Sequence, residues 1–218
     1  MGETLFNSQF LTIDNMRNKL AFVCLLCCLS VMTAHAQDAK NAIRDHYAAI
    51  KAMIAEYDTL EAEGMQYPVN ECYKVKIRQN LPGTGQHDED VLMYYGEVEG
   101  SDEIYPDHWL EYVSSNYNFA ALKFYQEFLF DKNGHITFIY ALHPSVEDYK
   151  DYEFRLYFNK GKLFDVLVKS RNAGEKDFSQ EFAGKTLPEK FQSYYKTLVD
   201  DVAKYKRLFE AVDGATHL

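Results

Sequence analysis

Cysteine is scarce where it would matter. Of the four cysteines, Cys24, Cys27 and Cys28 fall in an apolar opening stretch, leaving Cys72 alone beyond it. No disulfide framework can be drawn, so stability must come from packing, and a lone cysteine beside a strand reads as a small buried apolar group rather than a reactive thiol. Positive charge is also short: 23 Lys and Arg face 33 Asp and Glu, a net charge of −10. Nucleic acid and anionic lipid are poor partners for such a chain, since both require a basic face. Missing too are an H-E-x-x-H pair, a glycine-rich phosphate loop and a Ser/His/Asp or Cys/His arrangement, so no catalytic residue, metal or cofactor is expected from motifs. The run His87-Asp88-Glu89-Asp90 has ligand types for a hard cation but not the spacing of a calcium loop. A solvated loop is expected there, and Asp107-His108 is equally thin as a site.

Long apolar runs are absent as well. The longest, Leu20 to Met32, falls short of the roughly 20 residues that a membrane span needs. Arg17 and Lys19 precede it and Ala34-His35-Ala36 follows before Gln37, the pattern of a secretory signal peptide with an A-x-A cleavage site. Leu26 and Cys27 stand where a lipidation site would carry a small residue, which speaks against a lipoprotein. Residues 1–36 are therefore expected to be leader and signal, with Met16 as the natural start. Removing these 36 residues from the 218 leaves 182, residues 37–218, enough for one exported domain, periplasmic or extracellular, with no stable membrane insertion once the signal is gone.

Aromatics are plentiful, with 17 Tyr and 15 Phe against one Trp. They concentrate in Leu122 to Lys169, which reads as two consecutive β-hairpins. Asp131-Lys132-Asn133-Gly134 suits a type I turn closed by a left-handed glycine. Carried outward, that turn pairs Phe130 with Ile136, Phe128 with Phe138 and Gln126 with Tyr140. The same loop type at Asn159-Lys160-Gly161 pairs Phe158 with Lys162, Leu156 with Phe164 and Arg155 with Asp165. One face then gathers Phe128, Phe130, Phe138, Tyr140, Phe154, Leu156, Phe164 and Val166 and must be core. The other carries Tyr125, Glu127, Ile139, Arg155, Tyr157 and Asp165.

The string Glu153-Phe154-Arg155-Leu156-Tyr157-Phe158-Asn159-Lys160-Gly161-Lys162-Leu163 resembles a hairpin pattern, E-x-R-x-Y-F-x-x-G-K-L, of uncharacterised exported proteins of Bacteroidetes type. The resemblance spans about one twentieth of the chain and implies provenance and fold, with no activity attached.

Around the hairpins, Ile43, Tyr47, Ile50, Ile54 and Tyr57 recur at helical spacing between Asp38 and Glu63, with Arg44, Lys51 and Glu61 expected toward water. Tyr73 to Arg78 alternates as a strand with Tyr73, Val75 and Ile77 inward. After a loop from Asn80 to Asp90, Val91 to Glu99 returns as its partner, Gly96 marking a bulge. Trp109 to Val113 reads as a short strand or irregular crossing, and Phe178 to Phe182 as a single helical turn. Thr186-Leu187-Pro188-Glu189 has the form of a capping box, followed by an apolar stripe of Phe191, Tyr195, Leu198, Val202, Tyr205 and Phe209.

The fold expected is α+β: an antiparallel meander of about six strands packed with an N-terminal and a C-terminal helix, nearest by analogy to a cystatin-like or NTF2-like curved sheet. Fold analogy transfers no function. An exported, non-catalytic binding domain is expected, with Tyr125, Glu127, Arg155, Tyr157 and Asp165 as ligand-binding residues and a sugar or peptide as partner. Two other readings stand beside it. One is a small cavity-type hydrolase or lyase with Glu127 or Glu153 as base and Tyr157 as acid. The other is a structural envelope protein without a small ligand, its second sheet face covered by the C-terminal helix.

Overall fold

In the computed structural model of the chain, residues 37–64, 72–101 and 106–216 are described. The chain divides into two compact units, residues 1–42 and 43–218. Of the first, residues 37–42 are described and are helical; the expected leader and signal lie outside the described residues. Everything below concerns residues 43–218.

Alternating apolar and polar residues build one open antiparallel sheet in which every strand pairs with its neighbours in sequence. The strands are β1 (Cys72–Leu81), β2 (Gly85–Glu97), β3 (His108–Phe119), β4 (Leu122–Phe130), β5 (Ile136–Ser145), β6 (Lys150–Asn159), β7 (Lys162–Asn172) and β8 (Ser179–Gly184). A helix, α1, covers residues 43–62 of this unit. A single 3-10 turn at Glu189–Phe191 leads into α2 (Gln192–Thr216).

Eight strands stand where about six were expected, and the two extra ones have identifiable causes. The segment Phe178 to Phe182 is not a helical turn but edge strand β8, with Phe182 opposite Val168 and packed on the core. The stretch after Gly100 contains a full-length strand, β3, reaching Phe119. Its Trp109 sits against Gly96, where an added Cβ would lie 2.7 Å from the indole Nε1. Gly96 is thus required by close approach, and the bulge falls one step away, between Tyr94 and Tyr95. The loop expected from Asn80 to Asp90 shrinks to a turn at Pro82-Gly83-Thr84, with Leu81 opposite Gly85.

Both faces of the sheet are apolar at the centre. On one, Phe191 of the 3-10 turn and Leu198, Tyr205 and Phe209 of α2 lie on a core that includes Met93, Phe128, Phe130, Ile139, Phe154 and Leu156. On the other, Ile50 of α1, flanked by Ile43, Tyr47, Met53 and Ile54, covers Tyr94, Tyr112, Leu129, Phe138 and Tyr157. The layers are therefore helix, sheet, helix. The residues Thr186 to Glu189 do not form the expected box: Pro188 takes the cap position and no side chain caps the turn.

Two bulges correct the expected hairpin registers. In the first hairpin the turn is as read, with the Asp131 amide donating to the His135 carbonyl at 2.9 Å and Gly134 at φ 73°. Phe130 faces Ile136, but an extra residue, Thr137, then intrudes, its hydroxyl donating to the Leu129 carbonyl at 3.0 Å. Beyond it Leu129 faces Phe138 and Glu127 faces Tyr140, so Phe138 and Tyr140 turn to the α1 side and Ile139 to the α2 side. In the second hairpin the loop is two residues, Lys160 and Gly161, at φ 49° and 73°, the type I′ geometry suited to strand twist. Asn159 pairs with Lys162, and a bulge at Phe164 then sets Tyr157 opposite Asp165 and Arg155 opposite Leu167. The expected Arg155–Asp165 cross-strand pair is not formed. The charge pairs that are formed directly across are Asp151 with Arg171, 2.9 Å, and Glu153 with Lys169, 3.6 Å.

Candidate binding face

The α1 side of the sheet can be followed as rows running across the strands. The first row, Cys72, Tyr94, Tyr112, Leu129, Phe138 and Tyr157, lies under α1. The next, one pleat along, runs Lys74, Leu92, Ser114, Glu127, Tyr140, Arg155 and Leu167. The third runs Lys76, Asp90, Asn116, Tyr125, Leu142, Glu153 and Lys169. These two rows alternate large half-exposed groups with buried acids: Tyr125, Tyr140, Leu142, Arg155, Leu167 and Lys169 are all partly exposed, whereas Glu127 and Glu153 are buried beneath them.

Glu127 is the hinge between the covered and the open part. It is 2 % exposed and accepts from Lys51 Nζ at 2.8 Å and from the hydroxyls of Tyr47 and Tyr125. Burial raises its pKa, but the lysine and the two phenols together outweigh burial and hold it below the usual carboxylate range. The neighbouring hydroxyls respond in the opposite sense, with burial and then Glu127 pushing Tyr125 far upward. Lys51, expected toward water, is instead turned inward by this carboxylate. The motivating signal was available in the sequence: Lys51 lies next to Ile50 and one turn from Tyr47, at the edge of the apolar stripe.

Farther out, Arg155 Nε donates to Glu153 at 2.9 Å while its guanidinium lies 5.5 Å from the centroid of the Tyr140 ring. Tyr140 donates to Glu153 at 3.4 Å and meets Tyr125 edge to face at 6.1 Å. Burial and then Glu153 raise the Tyr140 pKa to about 12. On the β1–β3 side the same two rows form a hollow of about 250 Å³ lined by Lys74, Lys76, Asp90, Leu92, Ser114 and Asn116.

Of the five residues expected to bind a ligand, Tyr125, Glu127 and Arg155 thus share one patch. Tyr157 is on the same face but is withdrawn under α1, 4 % exposed and 4.9 Å from the Phe138 ring. Asp165 stands opposite Tyr157, in the row beneath the helix. Ile139, expected beside them, is fully buried on the α2 side. Tyr140, Glu153 and Lys169 complete the patch. Tyr140, expected on the core face, is brought here by the Thr137 bulge.

The geometry is unfavourable for acid–base chemistry at Glu127. A general base near neutral pH needs a raised pKa, and this carboxylate is depressed and saturated with donors. Tyr157 is itself buried, at 4 % exposure. Among the described residues no group of three His, Cys, Asp or Glu side chains is disposed to hold a metal ion.

The α2 side has its own buried polar cluster. The run His87 to Asp90 lies in β2, not in a loop, so its side chains alternate: Asp88 accepts from Arg78 at 2.8 Å in water, whereas Glu89 is 2 % exposed. Glu89 accepts from Lys204 Nζ through both oxygens at 2.8 Å, from Tyr205 at 2.8 Å and from Ser115 at 3.0 Å. Nearby, Gln126 Nε2 lies 3.1 Å from both Tyr117 Oη and His143 Nε2. Burial pushes the His143 pKa down to about 4. A second hollow, about 540 Å³, is at the β5–β6 turn and the start of α2, lined by Ser145, Asp148, Lys190, Ser193 and Tyr194 among others. Its cation is already held by Glu181 at 2.7 Å and its Asp148 by Tyr152 at 2.6 Å.

No described helix is long and apolar enough to cross a membrane. In comparisons with known proteins, no family model matches this chain, and no curated protein or solved structure is significantly similar to it.

Proposed function

We propose that the chain is an exported, non-catalytic binding domain whose ligand, a sugar or a peptide, docks on the part of the sheet that α1 leaves open. One observation carries this reading. Tyr125, Tyr140 and Arg155 stand side by side and partly exposed, on a floor of two buried carboxylates that fix their polar atoms. Aromatic rings and arginine are the side chains that most often anchor binding energy, and a pre-ordered arrangement reduces the entropy cost of using them. Export rests on the leader pattern, and the bacterial resemblance on the second hairpin alone. The cystatin-like or NTF2-like analogy is kept for the shape of the sheet and carries no activity.

A thermal-shift screen of saccharides and short peptides, run on the wild type and on Tyr140→Ala, tests the proposal. A ligand should raise the melting temperature of the wild type and fail to do so in a variant that still melts cooperatively. Absence of any ligand-induced shift at millimolar concentration, or a shift unaltered by the substitution, would leave the chain as an envelope protein without a small ligand on this face.

A further inference from the structure

Resting on that reading of the open face, we propose that its ligand is a saccharide carrying carboxylate groups, its sugar rings lying against Tyr125 and Tyr140 and its carboxylates meeting Arg155 and Lys169. The saccharide class follows from what the face cannot offer. Strands β2 to β7 are interior, so their amides and carbonyls are committed to neighbouring strands. An extended peptide usually gains affinity by adding main-chain hydrogen bonds at a sheet edge, and the edge strands β1 and β8 lie away from Tyr125, Tyr140 and Arg155, which stand on β4, β5 and β6. A saccharide needs none of it, because its hydroxyls are recognised by side chains and its apolar ring faces stack on aromatic groups. Ser114, Asn116 and the tyrosine hydroxyls supply the polar partners along the same two rows.

The charge follows from a local imbalance. The whole chain is strongly acidic, with net charge −10, yet the two open rows carry Lys74, Lys76, Arg155 and Lys169 against Asp90, Glu127 and Glu153. Glu127 is neutralised from above by Lys51 at 2.8 Å, and Lys74 is met by Glu61 at 3.6 Å. Arg155 and Lys169 must then share the single carboxylate of Glu153, at 2.9 and 3.6 Å, which leaves positive charge uncompensated between them. Lys76 meets Asp90 at 3.5 Å with both side chains more than half exposed, a contact that an incoming anion can replace at little cost. The Arg155 guanidinium, steadied over the Tyr140 ring, presents the planar fork that suits a carboxylate.

Affinity electrophoresis of the folded mature chain, in native gels containing polygalacturonate, dextran or polyglutamate, separates the outcomes. Polygalacturonate should retard migration, dextran and polyglutamate should not, and added salt should weaken the effect. Arg155→Gln should weaken retention about tenfold, the value of one charge-assisted hydrogen bond. Lys169→Gln should also weaken it, giving a second variant if the first melts early. Equal retention by dextran, lost in Tyr140→Ala, would overturn the charge assignment while leaving the binding face in place. Equal retention by polyglutamate would overturn the saccharide assignment. No retention in any gel would overturn the proposal as a whole, and the thermal-shift screen would then decide the binding reading by itself.

Discussion

Two buried carboxylates do similar work on opposite sides of the sheet. Glu127 receives Lys51 and Tyr47 from α1, and Glu89 receives Lys204 and Tyr205 from α2. Each ties the helix on its side to a single strand position, so each fixes how that helix lies on an otherwise apolar, non-directional contact. Glu127→Gln should lower stability by roughly 1.5–3 kcal/mol in urea titrations, the worth of hydrogen bonds to a charged group. Both carboxylates are depressed by their donors in spite of burial. Their contribution is therefore complete above the unfolded pKa of about 4.3 and is lost as pH falls through the lower folded values. His143 acts earlier in an acid titration. Its folded pKa is pushed down to about 4 by burial, against about 6.5 unfolded. The neutral ring is thus fully accommodated above pH 6.5 or so, and stability drains away as pH falls from there toward 4, by about 3 kcal/mol in all. The urea midpoint should fall across that window, and His143→Gln should flatten the slope.

At the scale of the element, turn positions were legible and register was not. Asp131-Lys132-Asn133-Gly134 and Lys160-Gly161 mark the two turns, and the stripes of both helices place their buried residues in advance. What alternation could not supply was the position of the bulges. A strand with one buried face announces its register, because a slip moves apolar groups into water. In Ile136-Thr137-Phe138-Ile139 both faces are covered by helices, so a one-residue shift exchanges one apolar environment for another and the pattern is silent. The same ambiguity hid the half-polar character of the α1 side, and it made His87 to Asp90 read as loop when two of its residues face inward. Strand β8 was missed because a short, mostly exposed edge strand has too few apolar positions to show a period. The corrected register makes its own demands. A double-mutant cycle on Asp151 and Arg171 should give a favourable coupling of roughly 0.2–1 kcal/mol. Gly96→Ala should cost about 1–3 kcal/mol, as for overpacking generally, since the new methyl would press on Trp109. A melting temperature unchanged by that substitution would show that the strand yields there.

On the scale of the whole molecule, the two helices are not equivalent covers. The core beneath α2 reaches from β1 to β8, with Tyr73 and Phe182 at its margins, whereas α1 shields the first row of its side and reaches Glu127 at the middle of the second. Among the described residues Ile50 is the buried anchor of α1, and Ile50→Ala should destabilise by roughly 2–5 kcal/mol as a core truncation, read from the urea midpoint at constant slope. The rows that α1 leaves open are the substance of the functional account. They combine exposed aromatics, shared ion pairs and buried acids, where a merely solvated sheet face would carry scattered lysines and glutamates.

The most direct test is therefore to map ligand contact by residue. Amide chemical shifts of the isotope-labelled domain, titrated with oligogalacturonate, should move along the open rows at Asn116, Tyr125, Tyr140, Arg155 and Lys169. Shifts confined to Ser145, Lys190 and Ser193 around the other hollow, or no shifts at millimolar ligand, would contradict the assignment of this face as the binding surface for an acidic saccharide.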